Sequence, residues 1–307
     1  MGDFVFACPT CRVRLEEIDS EQQRCPIEGT IYRRESGIWR LLPPDRAVYF
    51  QRFMAEYETV RRAEGWGASD ASYYRALPFE DRTGRFRDLW RIRADNFRVL
   101  IDRALKPIEV RQRRALKIVD LGAGNGWLSY RLAQRGHCVA AFDVLLNDQD
   151  GLGAHQYYVA AFTPVQAEFD RLPLDAAQID CVVFNGSLHY SVEYETTVRE
   201  ALRVLRSDGR LVILDSPVYR AANSGKQMVR EREARFDREY GFRSNSLPSE
   251  NYLTYGRLND LGTKLKVQWQ LFKPFHGWRW PLRHWKIQIV DQREPAGFPV
   301  IAGRRIS

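Results

Sequence analysis

The amino-acid sequence predicts an α/β fold, with a mostly parallel β-sheet that carries helices on both faces. Short apolar runs alternate with helical patterns between residues 115 and 215, which is typical of parallel strands joined by helices. A glycine-rich turn connects the first apolar run of this region to its first helix. The second apolar run ends on an acidic residue, at the edge of the sheet where such folds hold their ligands.

The predicted sheet is organised around residues 116–144, which read LKIVDLGAGNGWLSYRLAQRGHCVAAFDV. A first strand ends at Asp120, a glycine turn and a helix follow, and a second strand over residues 138–142 leads to Asp143. The glycines at 122, 124 and 126 allow a tight turn and a close approach to a ligand, because they lack a Cβ. Since comparable folds place a carboxylate like that of Asp143 against the hydroxyls of a ribose, we expect a nucleotide-like ligand.

The spacing of these glycines distinguishes between classes of nucleotide site. Dinucleotide sites favour G-x-G-x-x-G, but here Trp127 takes the position of the third glycine, which comes one residue early. A phosphate-binding P-loop is excluded because no Gly-Lys-Ser/Thr follows the turn. The pattern D-x-G-x-G-x-G from Asp120 to Gly126 resembles motif I of the class I S-adenosylmethionine-dependent methyltransferases, of the methyltransferase type-11-like kind. This resemblance implies S-adenosylmethionine as cofactor and a Rossmann-like, seven-stranded sheet.

The resemblance also implies which residues contact the cofactor. In that family the glycine turn passes beside the methionine part, and the acid after the second strand holds the ribose. An acid four residues before Leu-Pro accepts a hydrogen bond from the adenine amino group; here it is Glu168, a departure from the usual Asp, and Phe169 packs on the ring. The full predicted set is Asp120, Gly122, Ala123, Gly124, Asn125, Gly126, Trp127, Asp143, Val144, Glu168, Phe169, Asn185 and Gly186.

Two candidate catalytic residues follow the predicted fourth strand, residues 179–185. The carboxyl ends of parallel strands bring substrate to the cofactor, and methyl transfer mainly requires that donor and acceptor are aligned. His189 is a candidate base for an oxygen or nitrogen nucleophile, and Tyr190 is a candidate positioning group. Alternatively, His189 only hydrogen-bonds the backbone around the cofactor. An acceptor that is already an anion or an activated carbon needs no base.

Residues 1–43 are predicted to form a zinc-ribbon-like module. Cys8, Cys11 and Cys25 have the spacing of two metal-binding knuckles. The segment resembles the ribbon at the front of many bacterial methyltransferases, which continues into Gly-Ile-x-x-Leu-Leu, here starting at Gly37. Glu28 stands where that ribbon has its fourth ligand. The alternatives are a structural zinc held by three thiolates and a carboxylate, or a decayed ribbon that persists as a small hairpin module.

We predict a helical lid or linker over residues 44–114 and the methyltransferase domain over residues 115–307. Helical spacing is visible over residues 49–64 and 86–105, the latter ending before a proline. In the resembled family, helices before the first strand close over the cofactor. Three aromatic residues in this segment are therefore candidates for the pocket wall, or else ordinary core: Tyr73, Tyr74 and Trp90.

The second half of the chain is predicted to complete the sheet. Helices are expected over residues 193–205, 218–240 and 249–261, and strands over residues 209–214, 264–272 and 298–302. The last strand is expected to be antiparallel at the edge of the sheet. In the resembled family the insert that contains residues 218–240 often caps the substrate.

Composition limits the setting of the protein. The chain of 307 residues can hold one large domain with a small appendage. It has no long uncharged apolar stretch and no basic-then-apolar leader, so neither a membrane span nor a signal peptide is expected. Five cysteines, an odd number, fit a reduced compartment better than a disulfide framework. These features predict a cytoplasmic protein.

The formal net charge of +8 is concentrated towards the C-terminus, where residues 263–307 carry 9 basic and 2 acidic side chains. Within it, residues 272–286 contain three tryptophans interleaved with cations. This segment is either a hairpin arm whose aromatic residues pack on the sheet, or a surface for an anionic or amphipathic partner. A lipid headgroup interface and single-stranded RNA both suit that composition, and we favour peripheral membrane contact.

These observations predict S-adenosylmethionine-dependent methyl transfer to a small-molecule or lipid-like acceptor. The first alternative is an RNA methyltransferase, because ribosomal guanine methyltransferases share the order of ribbon and catalytic domain. Against it, the fourth strand is followed by NGSLHY and not by the N/D-P-P-F/Y signature of base-amino methyltransferases. The second alternative is a non-catalytic cofactor-binding subunit, which the intact glycine motif disfavours.

Overall fold

The computed structural model describes residues 4–277 and 292–306, and within these residues its main sheet has eleven strands. Four short strands near the N-terminus form one edge of the sheet: β1 (Glu16–Asp19), β2 (Gln22–Arg24), β3 (Ile31–Glu35) and β4 (Ile38–Arg40). They pair in chain order as an antiparallel ribbon.

The Rossmann-like part of the sheet consists of β5 (Lys117–Leu121), β6 (Cys138–Asp143), β7 (Thr163–Gln166), β8 (Ile179–Asn185), β9 (Leu205–Leu214), β12 (Val267–Phe272) and β13 (Val300–Arg305). Two further short strands, β10 (Val218–Tyr219) and β11 (Leu253–Thr254), pair with each other. The main strands lie in the order β7-β6-β5-β8-β9-β13-β12, parallel from β7 to β9. The predicted fold class is confirmed.

The last strand differs from the prediction in its position. β13 is antiparallel as expected, but it lies between β9 and β12, and β12 forms the edge of the sheet. Composition explains this order. The first part of β13 is apolar and buried, as an interior strand requires, whereas β12 is exposed or partly exposed after Val267 and tolerates an edge.

The helices are α1 (Pro44–Glu64), α2 (Ala71–Ala76), α3 (Arg87–Val99), α4 (Lys106–Gln112), α5 (Trp127–Gln134), α6 (Tyr194–Val204), α7 (Ala222–Tyr240) and α8 (Tyr255–Leu265). The prediction that a helix stops before Pro107 is wrong. A π-helical turn over Leu100–Leu105 connects α3 to α4. Pro107 lies in the first turn of α4, a position at which a helix tolerates proline because the backbone N–H is not needed for a helical hydrogen bond.

Two other boundaries shift for local reasons. α8 begins six residues later than expected, because Leu253 pairs with Val218 and Thr254 caps the helix by accepting a hydrogen bond from the Arg257 backbone N–H at 3.0 Å. β9 begins at Leu205 and not at residue 209, with an irregular register against the start of β8.

The N-terminal ribbon is continuous with the main sheet. β4 pairs in parallel with β7, through Trp39 with Val165 and Arg40 with Gln166. Trp39 and Val165 also belong to one buried apolar cluster, which extends to Val119 in the centre of the sheet. The ribbon and the sheet therefore share a core.

The three aromatic residues that were candidates for the pocket wall are ordinary core. Tyr73, Tyr74 and Trp90 are all buried in one cluster with Trp127 at the start of α5. The Trp90 and Trp127 rings meet edge to face with centroids 5.9 Å apart. None of these three residues lines the cavity described below.

Two features bear on contact with a membrane or with RNA. Within the described residues, we find no helix with the length and apolar character that a membrane crossing requires. Of the tryptophan-rich segment 272–286, residues 278–286 lie outside the described residues. The predicted contact with membrane or RNA through that segment stays a prediction.

We expect Trp90 to be a major source of stability, because its ring joins the helical segment to α5. Trp90→Ala should lower the free energy of unfolding by about 3–5 kcal/mol, through lost burial and the cavity left behind. Denaturant unfolding measures this change. The exposed Val110→Ala in α4 is the control and should change stability by less than about 0.5 kcal/mol. A loss of under about 1 kcal/mol for Trp90→Ala would contradict the assignment.

Candidate functional site

A cavity lies where the carboxyl ends of β5, β6, β7 and β8 face the middle of α1. Helix α1 covers it with three aromatic side chains, and the strand ends form its floor. Its lining residues are Phe50, Phe53, Tyr57, Gly122, Gly124, Asp143, Val144, Leu145, Ala167, Glu168, Phe169, Gly186, Ser187, Tyr190 and Leu247. The structure thus brings together eight of the residues predicted from the sequence: Gly122, Gly124, Asp143, Val144, Glu168, Phe169, Gly186 and Tyr190.

The glycine turn presses against the end of β8. Gly122 has φ +72°, and a Cβ at this position would come within 2.3 Å of the Ser187 Cβ. Its backbone N–H donates to the Phe142 carbonyl at 2.8 Å, which fixes the turn to β6. A larger residue would both strain the backbone and separate β5 from β8. The turn therefore presents bare backbone to the cavity.

Asp143 holds this turn from the end of β6. One carboxylate oxygen accepts the Gly124 backbone N–H at 2.8 Å, and the other accepts the Leu145 backbone N–H at 2.9 Å. Burial raises the pKa of this carboxyl to about 6, although these backbone donors favour the ionised form. Asp143 also lines the cavity, and a carboxylate can accept more than two hydrogen bonds, so the residue fits the hydroxyl pair of a ribose.

Glu168 is engaged by a residue that the sequence analysis did not identify. The Arg46 guanidinium, on α1, donates from Nε to Oε1 at 2.7 Å and from Nη2 to Oε2 at 2.6 Å. This is the bidentate geometry of a strong charge-assisted pair. Arg46 also stacks 4.2 Å from the centroid of the Tyr49 ring. The predicted adenine acceptor is thus held in place by the covering helix.

The aromatic wall on α1 was also missed, although the sequence contained a signal for it. Phe50, Phe53 and Tyr57 line the cavity and recur at the spacing of one helix face. The helical spacing over residues 49–64 predicts such a face, but the aromatic residues predicted for the pocket wall lie further along the chain. Periodicity shows that a helix has a face, and it does not show which surface that face covers.

The remaining predicted cofactor residues lie outside the cavity lining in the described part of the chain: Asp120, Ala123, Asn125, Gly126, Trp127 and Asn185. Asp120 is fully buried beneath the turn, where it accepts a hydrogen bond from Ser129 Oγ at 2.8 Å. Burial raises the pKa of its carboxyl to about 7. Asn125 caps α5 by accepting the Trp127 backbone N–H at 3.2 Å. In this arrangement both residues shape the turn from behind.

His189 is buried behind Tyr190 and is not among the side chains that line the cavity in the described part of the chain. Its Nδ1 lies 3.2 Å from Ser216 Oγ. Burial, and then the nearby Arg232 cation, lower the pKa of this imidazole to about 3. Such a group is a weak proton acceptor at neutral pH. The geometry favours the alternative in which His189 is a hydrogen-bonding residue, with a side-chain hydroxyl as its partner.

A second cavity of about 210 Å³ adjoins the first. The two share four side chains: Phe53, Tyr57, Tyr190 and Leu247. The second cavity continues between α1 and α7 and is also lined by Val60, Arg61, Glu64, Arg232, Arg235, Phe236, Ser244, Ser249 and Asn251. We name these the cofactor cavity and the acceptor cavity, for the roles that we propose for them. Helix α7 lies within the segment that was expected to cap the substrate.

The N-terminal ribbon brings together four possible metal ligands. The ligand atoms of Cys8, Cys11, Cys25 and Glu28 all lie within 4.8 Å of one another. The Cys11 and Cys25 sulfurs are 3.4 Å apart, and Glu28 Oε2 is 3.4 Å from the Cys8 sulfur. A tetrahedral zinc with bonds of about 2.3 Å needs ligand separations of about 3.8 Å, so these residues fit a zinc ion after small adjustments. The hydroxyl of Tyr32 is 3.4 Å from the Cys8 sulfur and could support it as a thiolate.

If this cluster holds zinc, protein purified without chelator should contain about one zinc per chain. The carboxylate makes the site weaker than four thiolates, so Glu28→Cys should slow zinc loss to a chelator, and Cys8→Ser should speed it. Metal analysis and a colorimetric chelator assay measure both effects. Cys138→Ser, outside the cluster, should behave as the unmodified protein. Protein free of zinc would instead support the decayed ribbon.

Comparison with known proteins identifies the central domain. Residues 119–213 match the family model of the methyltransferase domain. An uncharacterized methyltransferase of Mycobacterium tuberculosis is 36% identical over 97 residues, which cover 32% of this chain and 38% of that protein. A sarcosine/dimethylglycine N-methyltransferase of Halorhodospira halochloris is 33% identical over 102 residues, 32% of this chain and 37% of that protein. The chain thus spans less than half the length of these curated relatives.

A solved structure with a similar fold is 1,6-didemethyltoxoflavin-N1-methyltransferase of Burkholderia thailandensis, with bound 1,6-didemethyltoxoflavin and S-adenosylhomocysteine. It is 15% identical, the match covers 95% of this chain and 99% of that one, and the TM-score is 0.46. The family match spans the glycine turn, Asp143 and strands β8 and β9. Residues 119–213 therefore correspond to a class I S-adenosylmethionine-dependent methyltransferase domain, a kind of domain whose cofactor is S-adenosylmethionine.

Proposed function

We propose that the protein transfers the methyl group of S-adenosylmethionine to a small-molecule or lipid-like acceptor bound in the acceptor cavity. The observation that carries this proposal is the contact between the two cavities. Phe53, Tyr57, Tyr190 and Leu247 line both of them, so a donor in one and an acceptor in the other meet at these side chains. The name of the Halorhodospira relative supports a small-molecule acceptor.

Several residues of this chain would hold the cofactor. Asp143 would accept hydrogen bonds from the ribose hydroxyls, the turn at Gly122 and Gly124 would pass beside the methionine part, and Phe169 would pack on the adenine. The bound cofactor supplies an electrophilic methyl group on a sulfonium. The protein then has to align the acceptor in line with that group and exclude water.

Helix α1 would supply the alignment. It is fixed to the sheet by two bidentate ion pairs, Arg46 with Glu168 after β7 and Arg61 with Asp150 in the loop after β6. Between them, Tyr57 faces both cavities. Burial raises its pKa well above the ordinary range, so the phenol stays protonated and can orient an acceptor by hydrogen bonding.

The residues at the junction favour an acceptor that needs little help in losing a proton. His189 has a low pKa and lies outside both linings in the described part of the chain, and the pKa of Tyr57 is high. An acceptor that is already an anion, a neutral amine or an activated carbon can attack without a strong base. The RNA alternative stays a prediction, because the basic segment 278–286 that could contact RNA lies outside the described residues.

A transfer assay tests the proposal directly. Tritiated S-adenosylmethionine is incubated with the protein and a native lysate, which is then separated into small-molecule, lipid, RNA and protein fractions. We expect label in the small-molecule or lipid fraction. Gly122→Val should abolish this labelling, because its side chain would collide with Ser187 under the cofactor. Label that appears only in RNA would overturn the proposed acceptor class.

Cofactor affinity should depend on pH through Asp143. The carboxyl group accepts charge-assisted hydrogen bonds from the ribose on both oxygens only when it is ionised, and its pKa is raised to about 6, so affinity should rise between pH 5 and pH 7.5. Asp143→Asn should lower the affinity at pH 7.5 by at least about tenfold and flatten the pH dependence. Isothermal calorimetry measures both, with the exposed Asp148→Asn as control.

We do not expect the two buried carboxyl groups of the site to unfold the protein at the low-pH end of this affinity measurement. Asp120 and Asp143 both have raised pKa values, so the folded protein binds their protons more tightly than the unfolded chain does. Their contribution to stability is therefore largest at low pH and declines as the pH rises from about 4 to about 7. An Asp143→Asn variant that binds the cofactor as tightly as the unmodified protein at pH 7.5 would contradict the ribose assignment.

A further inference from the structure

The acceptor cavity contains three arginines but only one acidic side chain in its lining. The charged lining residues are Arg61, Glu64, Arg232 and Arg235. A cavity enclosed by protein strengthens the field of any charge that is not neutralised nearby. The pairing of each arginine therefore indicates which charge remains for a ligand.

Two of the three arginines are paired. Arg61 holds Asp150 through Nε and Nη2, with Nη2 2.8 Å from Oδ1. Arg235 Nη2 lies 3.5 Å from Glu64 Oε1. These charges cancel within the wall of the cavity.

Arg232, on α7, has no such partner in the described part of the chain. Its Nη1 donates to the Asn251 side-chain oxygen at 3.0 Å, but Nε and Nη2 are shielded from solvent and have no hydrogen-bond acceptor there. The hydroxyl of Ser249, another lining residue, is likewise buried without a partner. Buried donors of a charged group are destabilising unless they are paired, so an unpaired guanidinium here requires an explanation.

The free edge of Arg232 matches a carboxylate. Nε and Nη2 form the side of the guanidinium that donates two parallel hydrogen bonds to the two oxygens of a carboxylate. Arg46 uses this same edge to bind Glu168, and Arg61 uses it to bind Asp150. In Arg232 this edge has no acceptor in the described part of the chain, while Asn251 fixes the opposite nitrogen.

Asn251 is itself anchored, which makes the arginine a prepared site. Its side-chain amide donates to the Ser249 carbonyl at 2.8 Å, and its backbone N–H donates to the His189 carbonyl at 3.1 Å. Beside these polar groups the cavity also presents apolar side chains, among them Val60, Phe236 and Leu247. The lining therefore suits a compact molecule with an apolar body and one negative charge.

We propose that the methyl acceptor is a small carboxylic acid, whose carboxylate is bound by Nε and Nη2 of Arg232 and oriented by Ser249. This inference rests on the proposed function and specifies its substrate class. The carboxylate acts here as the group by which the acceptor is recognised. Its binding turns the apolar part of the molecule towards Tyr57 and Tyr190, at the junction with the cofactor cavity.

Paired acids and amides test this assignment without knowledge of the natural acceptor. The probes are phenylacetate and hexanoate, each compared with its own neutral amide, in titrations of the full chain saturated with S-adenosylhomocysteine. We expect each acid to bind at least tenfold more tightly than its amide. Arg232→Gln should abolish this preference, and Arg232→Lys should reduce it, because lysine keeps the charge but not the paired donors. Arg230→Gln, on the exposed side of α7, should retain it.

The outcomes separate this inference from the proposed function. S-adenosylhomocysteine affinity is measured in every variant and should be unchanged, which also shows that each variant is folded. If the cofactor binds and methyl transfer occurs but acids and amides bind equally, the carboxylate assignment is wrong and the proposed function stands. A preference for acids that persists in Arg232→Gln would also overturn it. Failure of the unmodified protein to bind the cofactor would overturn the proposed function.

Discussion

The arrangement of the site depends on one buried carboxylate. Asp143, at the end of β6, accepts the backbone N–H groups of Gly124 and Leu145, and so fixes the glycine turn after β5 relative to the loop after its own strand. Burial disfavours the charged form of this carboxyl group, which is why its pKa is raised. The backbone donors offset part of that penalty, and ribose hydroxyls would offset more. A residue needed to build the turn is thus also the one prepared to receive the ligand.

Above this turn, one type of interaction recurs. Arg46 and Arg61 on α1 each bind a carboxylate after a strand through Nε and Nη2, and these pairs fix the helix over the cofactor cavity. Arg232 on α7 presents the same pair of nitrogens beside the next cavity, with no acceptor in the described part of the chain. Two internal carboxylates and one proposed external carboxylate would therefore be bound by the same chemistry. Since α1 contributes to both cavities, its position would couple cofactor binding to acceptor binding.

The sequence predicted what is local and missed what is long-range. The glycine spacing and Asp143 were identifiable because turn, strand end and ligand lie within one short segment. Arg46 could not be identified from the sequence, because its partner Glu168 is 122 residues away in the chain. Asp120 and Trp127 share the motif with the glycines, but the backbone turns them beneath the loop, where packing decides their role. His189 was proposed from the ordinary pKa of its residue type, and burial reverses that argument.

We expect the cofactor to bind at Asp143 with its sulfonium directed to the side chains shared by the two cavities. A crystal structure with S-adenosylhomocysteine tests it most directly. Both ribose hydroxyl oxygens should lie within about 2.5–3.0 Å of the Asp143 carboxylate oxygens, and the sulfur should face Tyr57 and Tyr190. A ribose bound away from Asp143, or a sulfur directed away from the acceptor cavity, would contradict it.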